Sequence, residues 1–549
     1  MLAVWLGLAL GVGPAAADDP INTTFVILNE TGYHPAQIHV KFLGAEIGAA
    51  GATPQTYGEG HALETGASTA SRSYSLFDMM ATLPDTTSYA TTPVPTFALH
   101  DYVGGRIYFS IGGPLGATTP PAAGIASDPD YGRVYQYAEP FVDGSTSTQT
   151  GNIDVSYVDF VGFPVDIAAK NADGTLYSYP TGRNPQVSAS GSTMFDHLIA
   201  SGVPASAIAP ALVGGTARIA SPSLGGVTGY HDWSALFTYL ESVWAAPIPV
   251  ASYTVPAGQP LASVDFGYVG GGVAVDPYDP TFLLAQDYAF TAHFVSDLNP
   301  GGANPRLPHL EGIPGIELSG TGGPYGATTG TGEFDIYIEK TDFDAPAAVY
   351  GNNPVYTVDW SGRPAMDGGP IAFPASTGIV NDLTGRIVGD LLAGITFGWA
   401  GNDTDLATHA MATATTLPDV FTESRIGDLG TGKYFYLLSL QDDTVDLAEW
   451  FGSSISSTPD YYDTYGDAFA ADTTAYTMPF GDRLQGSLTP SIWWENSTLG
   501  AQHGYIEIKL LPGAYTVPEP GSTLLSGSVC LALGALARRR AARSRVLAA

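Results

Sequence analysis

Alternation of apolar and polar residues with period two, cut at short intervals by Gly, Pro, Asn and Asp, dominates the first third of the chain. TTFVILNET (23–31), HPAQIHVKFLG (34–44), TPVPTFALHDYVGGRIYFSIGG (92–113) and NIDVSYVDFVGF (152–163) all follow it. In an extended chain successive side chains point to opposite faces, so each segment offers one apolar face that must be covered. Short strands of this kind bury those faces by packing sheets together, which predicts a β-barrel or β-sandwich.

Helical spacing appears in the middle of the chain. GSTMFDHLIASG (191–202) follows a Ser cap and stops at glycine, and HDWSALFTYLESVWA (231–245) carries an apolar stripe with Asp232 near its start. DLTGRIVGDLLAGITFGW (382–399) follows the same pattern, and TVDLAEWFGSS (444–454) follows it more weakly. Strand patterns return at EFDIYIEK (333–340), KYFYLLSL (433–440) and GYIEIKLLP (504–512). The expected fold class is β-rich α+β: a β-barrel or sandwich over residues 22–190, then an α/β domain over 191–470. The segment at about 470–513 is expected to return and complete the first domain. The Gly-rich stretches FGYVGGGVAV and SGTGGPYGATTGTG lack the spacing of a phosphate-binding loop.

Both ends read as addresses. MLAVWLGLALGVGPAAA, residues 1–17, is an apolar run closing on small residues, as in a secretory signal peptide. Near the other end, Val517-Pro518-Glu519-Pro520 precedes an apolar run, Gly521 to Leu536, and then Arg538, Arg539 and Arg540. The order of motif, short apolar helix and arginines over 517–542 resembles the PEP-CTERM sorting signal of Gram-negative bacteria. That resemblance implies transient membrane anchoring, cleavage by an exosortase-type enzyme, and release to the envelope or the extracellular space.

The chain has one cysteine, Cys530, inside that apolar run, so the body has no disulfide to rely on. Its formal net charge is −33, with Arg543 and Arg545 adding to the basic residues gathered in the tail. A surface this acidic repels nucleic acid and anionic lipid, which removes both as partners. With 44% hydrophobic residues the chain has the means to bury a core.

The stretch VYQYAEPFVDGSTSTQTGNIDVSYVDFVGFPVD, 134–166, places Glu139, Asp143, Asp154 and Asp159 among tyrosines and valines. Read as a hairpin with GSTSTQTGN as its loop, Tyr135, Tyr137, Glu139, Phe141 and Asp143 share a face. Glu139 then lies opposite Tyr157, with Asp159 as its diagonal neighbour about 7–8 Å away. Inverting glycosidases hold their two carboxyl groups roughly 6.5–9.5 Å apart, retaining ones about 5–5.5 Å. Two readings stay open on alternation alone: acidic residues on the solvated face of a sheet, or an acid–base pair flanked by aromatic platforms. Asp154 reads as a turn-edge residue.

RIYFSIGGPL (106–115), YAEPFVD (137–143) and VSYVDFVGFPV (155–165) resemble glycoside hydrolase family 64, the laminaripentaose-producing β-1,3-glucanases. RIASP (218–222), DIYIEKTDFDAPAAVYG (335–351) and YTMPFGDRLQ (476–485) follow in the family's order. The resemblance implies a thaumatin-like β-barrel plus an α/β domain with a wide groove between them. It also implies endo-hydrolysis of β-1,3-glucan with inversion, without metal or cofactor, by a monomer. Its acid falls on Glu139 and its base on Asp159, with Phe141, Asp143 and Asp482 at its substrate contacts, while Tyr137 and Tyr157 are expected as sugar platforms from their place on the hairpin face. Phe141 and Asp143 stand where the family carries Thr and Asn, and Gly481 stands where a first Asp is common. Those departures motivate a second expectation, a non-catalytic glucan-binding or matrix protein that keeps the fold. A third is a matrix component binding cations through acidic loops such as Asp276–Asp279 and Asn402–Asp405. Trp360, Trp399, Trp493 and Trp494 read as core or as sugar platforms.

Overall fold

A computed structural model describes, apart from single positions, residues 23–45, 73–83, 86–99, 102–116, 123–142, 150–177, 187–243, 288–322, 332–350, 354–359, 463–477 and 504–515, with short pieces between them. The leader at 1–17, the tail at 517–542 and the segments KYFYLLSL and TVDLAEWFGSS lie outside the described residues.

The alternating segments form two sheets. One has the order Val165–Lys170, Tyr505–Leu510, Thr23–Asn29, Val94–Leu99, with the short strands Thr56–Gly58 and His61–Ala62 beyond. The other runs Ser491–Glu495, Thr150–Val155, Val134–Val142, Val103–Ile111, Ile38–Ala45, Ser73–Ser75. Phe25, Ile27, Phe97, Leu99, Ile167, Ile506 and Ile508 from the first meet Ile38, Val40, Ile107, Phe109, Val134, Ala138, Val142, Ile153 and Trp494 from the second in one buried cluster. Every one of these belongs to the apolar face that period two assigns. Phe25 lies flat on Phe97 with ring centroids 4.7 Å apart, and Trp494 meets Phe25 edge-on. Burying such a side chain contributes roughly 1.5–3 kcal/mol. Trp494 is therefore core, and its Nε1 donates to Thr23 Oγ1. Gly151 is required beneath it, because a Cβ there would enter the indole.

The strand near the C-terminus lies inside the first sheet. Tyr505–Leu510 pairs parallel with Thr23–Asn29 on one side and antiparallel with Val165–Lys170 on the other.

Gly191–Ala200 is helical, with Ser190 Oγ accepting from the Thr193 N–H as its N-cap. Ser234–Val243 is helical too. Of residues 382–399, Val388, Leu392 and Thr396 are described; all three are helical and buried. The region after residue 240 differs from the expected α/β arrangement. Six of its described strands, Ile248–Tyr253, Tyr288–Val295, Gly315–Gly322, Gly332–Glu339, Tyr356–Asp359 and Ile371–Phe373, form one sheet in that order, each pair antiparallel. The link between Gly315–Gly322 and Gly332–Glu339, residues 323–331, is shorter than the dozen or so residues that a parallel crossover needs. The helices pack on one face of this sheet, where Phe237 meets Phe294 and Phe343 at 5.6 and 5.8 Å.

Among the described residues no helix is long and apolar enough to cross a membrane, and no group of three or more His, Cys, Asp or Glu could hold a metal ion.

Candidate active site

The six-stranded sheet of the first region has a second buried layer on its outer face. Tyr108, Leu115, Ala123, Tyr135, Tyr137 and Phe160 form it. Along Val134–Val142 the even residues Val134, Ala138 and Val142 enter the main core, while Tyr135 and Tyr137 enter this aromatic layer. The layer ends at Glu139, so the same face opens to solvent at Glu139 and Phe141, both half-buried. An acidic side chain in a strand is tolerated there because the covering stops.

The hairpin register differs from the expected one. Glu139 pairs with Asp154, not Tyr157, and Phe141 pairs with Asn152. Thr150, Gly151 and Asn152 belong to the strand rather than the loop, which shifts the pairing by three residues. An odd shift sends every following side chain to the other face. Val155 and Tyr157 accordingly point into the main core. Tyr157 is fully buried; its Oη accepts from the Val165 N–H at 3.0 Å. It is a core residue and not a platform for sugar. Asp154 is likewise a mid-strand residue directly across from Glu139, not a turn-edge one.

Asp159 reaches the open face by another route. The strand stops at Val155, and the chain turns over Ser156–Phe160 before pairing again at Phe160 and Val161. That loop carries Asp159 back toward Glu139. The Ser221 N–H donates to the Asp159 carbonyl at 2.9 Å, Ser223 Oγ to the Val158 carbonyl, and Tyr465 Oη to the Tyr157 carbonyl. Tyr476, the first residue of YTMPFGDRLQ, bridges Ser156 and accepts from the Tyr157 N–H.

Arg106 joins the two carboxylates. Its Nε donates to Glu139 Oε1 at 2.9 Å and its Nη1 to Asp159 Oδ2 at 3.1 Å. One rigid guanidinium between those bonds keeps the bonded oxygens within about 8 Å of each other. This lies inside the roughly 9.5 Å limit for paired glycosidase carboxyls. The guanidinium lies 4.3 Å over the Tyr137 ring, and Tyr137 Oη donates to Asp159 Oδ2 at 3.0 Å. Tyr137 is thus a fully buried support under the arginine, with its hydroxyl on the carboxylate, and not a sugar platform. Glu139 and Asp159 keep 35% and 25% of their side-chain surface open.

The electrostatics follow from this placement. Burial raises the Glu139 pKa, Arg106 opposes that, and the Asp159 charge adds to it; the net direction is up. Burial works against the Arg106 cation, but Tyr137, Glu139, Tyr108 and Asp159 outweigh it and hold the guanidinium charged. Burial also pushes the Tyr137 phenol well up, so it stays a hydrogen-bond donor.

Asp143 and Asp482 lie outside the described residues. Phe141 sits on the same face as Glu139. Sequence reasoning missed Arg106, although RIYFSIGGPL was in view. The available signal was a cation in a strand, in a chain with only 20 Lys and Arg.

A carboxyl whose pKa burial raises thus stands beside a second carboxylate on an open sheet face, the pairing that a two-carboxylate glycosidase would use. Residues 22–246 match the family model of glycoside hydrolase family 64, Beta-1,3-glucanase, and this span contains Arg106, Glu139 and Asp159. It is a glycoside hydrolase domain of the β-1,3-glucanase kind. Among solved structures, the chain is similar to a β-1,3-glucanase domain (GH64) from Clostridium beijerinckii, at 12% identity over 90% of this chain and 98% of that one, TM-score 0.42. It is also similar to a laminaripentaose-producing β-1,3-glucanase in complex with laminaritetraose, at 14% identity over 90% and 99%, TM-score 0.43. A third, the family 64 enzyme from Paenibacillus barengoltzii complexed with laminarihexaose, shares 18% identity over 39% and 52%, TM-score 0.26. No curated protein matches the chain.

Proposed function

We propose that the protein is an exported endo-β-1,3-glucanase that cleaves with inversion. Glu139 gives its proton to the glycosidic oxygen as the bond to the anomeric carbon breaks. Asp159 takes a proton from the water whose oxygen attacks that carbon from the opposite side. The sugar leaves as the opposite anomer, and the two carboxyls exchange protons with solvent to restore the starting state. The raised Glu139 pKa supports the acid role. The two hydrogen bonds on Asp159 Oδ2 support the base role, because they fix the carboxylate with Oδ1 as the oxygen to meet water.

The observation that carries the reading is the Arg106 bridge, which sets the two carboxyls side by side on an open sheet face. In this reading the first region is thaumatin-like, the glucan lies in a groove between it and the antiparallel region, and Phe141 is a sugar contact. The leader at 1–17 and the sorting tail at 517–542 carry a monomeric enzyme out of the cell, the tail serving an exosortase-type partner. The test is incubation of the purified protein with laminarin and curdlan, with product sizing and proton NMR of the first anomer released. Initial release of the α-anomer supports inversion, and release of the β-anomer overturns it. No release, with retained binding to curdlan, supports the non-catalytic glucan-binding reading instead.

A further inference from the structure

Gln136 is buried with no exposed surface, in the strand that carries Glu139. Its side chain spans both ends of the loop that carries Asp159. Nε2 donates to the Ser156 carbonyl at 2.8 Å, and the Gly162 N–H donates to Oε1 at 3.0 Å. These bonds cross 20 and 26 residues of sequence and join points on either side of Asp159. The loop is closed further at Gly162, where a Cβ would run into the Tyr135 carbonyl.

We propose that Gln136 is a positioning residue for Asp159. Resting on the acid–base reading above, the inference is that this amide sets where the Asp159 carboxylate stands relative to Glu139. The logic is topological. A strand continued in this register would turn Asp159, like Val155 and Tyr157, toward the core, and the loop returns it to the open face. A loop whose two ends are held by one rigid amide keeps its apex in place. A displacement of about 1 Å at a catalytic group can cost on the order of a hundredfold in rate. The amide is specific here, because one end of the loop offers an acceptor and the other a donor. Glutamate has the same shape, but when ionised it has nothing to donate to Ser156.

The test uses Gln136→Glu and Gln136→Asn in the purified protein, with laminarioligosaccharides as substrate. Gln136→Glu is expected to lower kcat by on the order of 10- to 100-fold at neutral pH with KM within about twofold of the parent. The deficit shrinks as pH falls, since the protonated acid regains a donor for Ser156. Gln136→Asn keeps an amide in the core but is one methylene short, so it holds one end; its kcat falls with the same unchanged KM. Parental kcat in either folded variant, or a loss confined to KM, overturns the inference. Asp159→Asn separates the two claims. If it stays active, the acid–base assignment is wrong. If it is inactive while both Gln136 variants keep parental kcat, only the positioning role is wrong.

Discussion

Tyr137 Oη stands 3.0 Å from Asp159 Oδ2, a hydrogen bond from a fully buried phenol to a carboxylate at the open edge of the sheet. The ring below it packs on Tyr108 and Phe160 at 5.4 and 5.5 Å, so the hydroxyl has little freedom to move away. Tyr137→Phe keeps that packing and removes one charge-assisted bond of roughly 1.5–3 kcal/mol. The expected result is a fall in kcat of about tenfold or more with little change in KM. Steady-state kinetics on laminarin checks it.

Arg106→Met removes the cation shared by Glu139 and Asp159. Arg106 lowers the Glu139 pKa and the Asp159 charge raises it, so without the arginine Glu139 holds its proton to higher pH. The alkaline limb of the kcat/KM profile should therefore move up. The rate should drop on the order of a hundredfold, because both carboxylates lose an orienting donor. An alkaline limb that stays in place or moves down would contradict the assignment of that limb to Glu139.

Asp463 predicts a pH dependence of stability. Its side chain caps the Thr464–Ala470 helix, accepting from the N–H groups of Tyr465 and Gly466. Burial raises its pKa to about 7 despite those bonds. In the unfolded chain an aspartate titrates near 3.9, so between these values the folded state binds more protons. Stability from this group is fully present below about pH 4 and is lost as pH rises through about 7, by a few kcal/mol. Asp463→Asn retains a capping oxygen without a titration. Urea midpoints measured across this range should slope less in the variant than in the parent.

Phe25→Ala tests the core independently of the site. Phe25 is fully buried between Phe97 and Trp494. Its truncation should destabilise the fold by about 3–5 kcal/mol. The midpoint of thermal or urea unfolding measures this, and kcat well below the transition should be retained.

The strands of the first region were legible because each has one covered face, as Phe25, Ile27 and Val134, Ala138, Val142 show. Register was not legible. Thr150 and Gly151 look like turn residues, but both pair with the Ser491–Glu495 strand, more than 300 residues away, and Gly151 also pairs with Val142. That three-residue error gave Tyr157 an outward face and placed Asp159 beside Glu139 for a mistaken reason. The structure brings the pair together through a loop, and the resemblance pointed to it without needing the geometry. Tyr137 was picked out as an aromatic near the carboxylates, but its depth was not visible, since burial depends on Leu115 and Ala123 arriving from another segment. Arg106 was missed for the same cause: it is 33 and 53 residues from its partners, and only the sheet aligns them.

The position of Tyr505–Leu510 between Thr23–Asn29 and Val165–Lys170 has a consequence for how the molecule assembles. This strand, second from one edge of the sheet, is made more than 300 residues after either of its neighbours. Until it arrives, the earliest strand and its eventual neighbour have a gap between them, and pairing at such sequence separation is slow to nucleate. This sheet therefore cannot close before residue 510 has been made. Removing Tyr505–Leu510 takes out an interior slat of the sheet and leaves the edge strand Val165–Lys170 without its ladder partner.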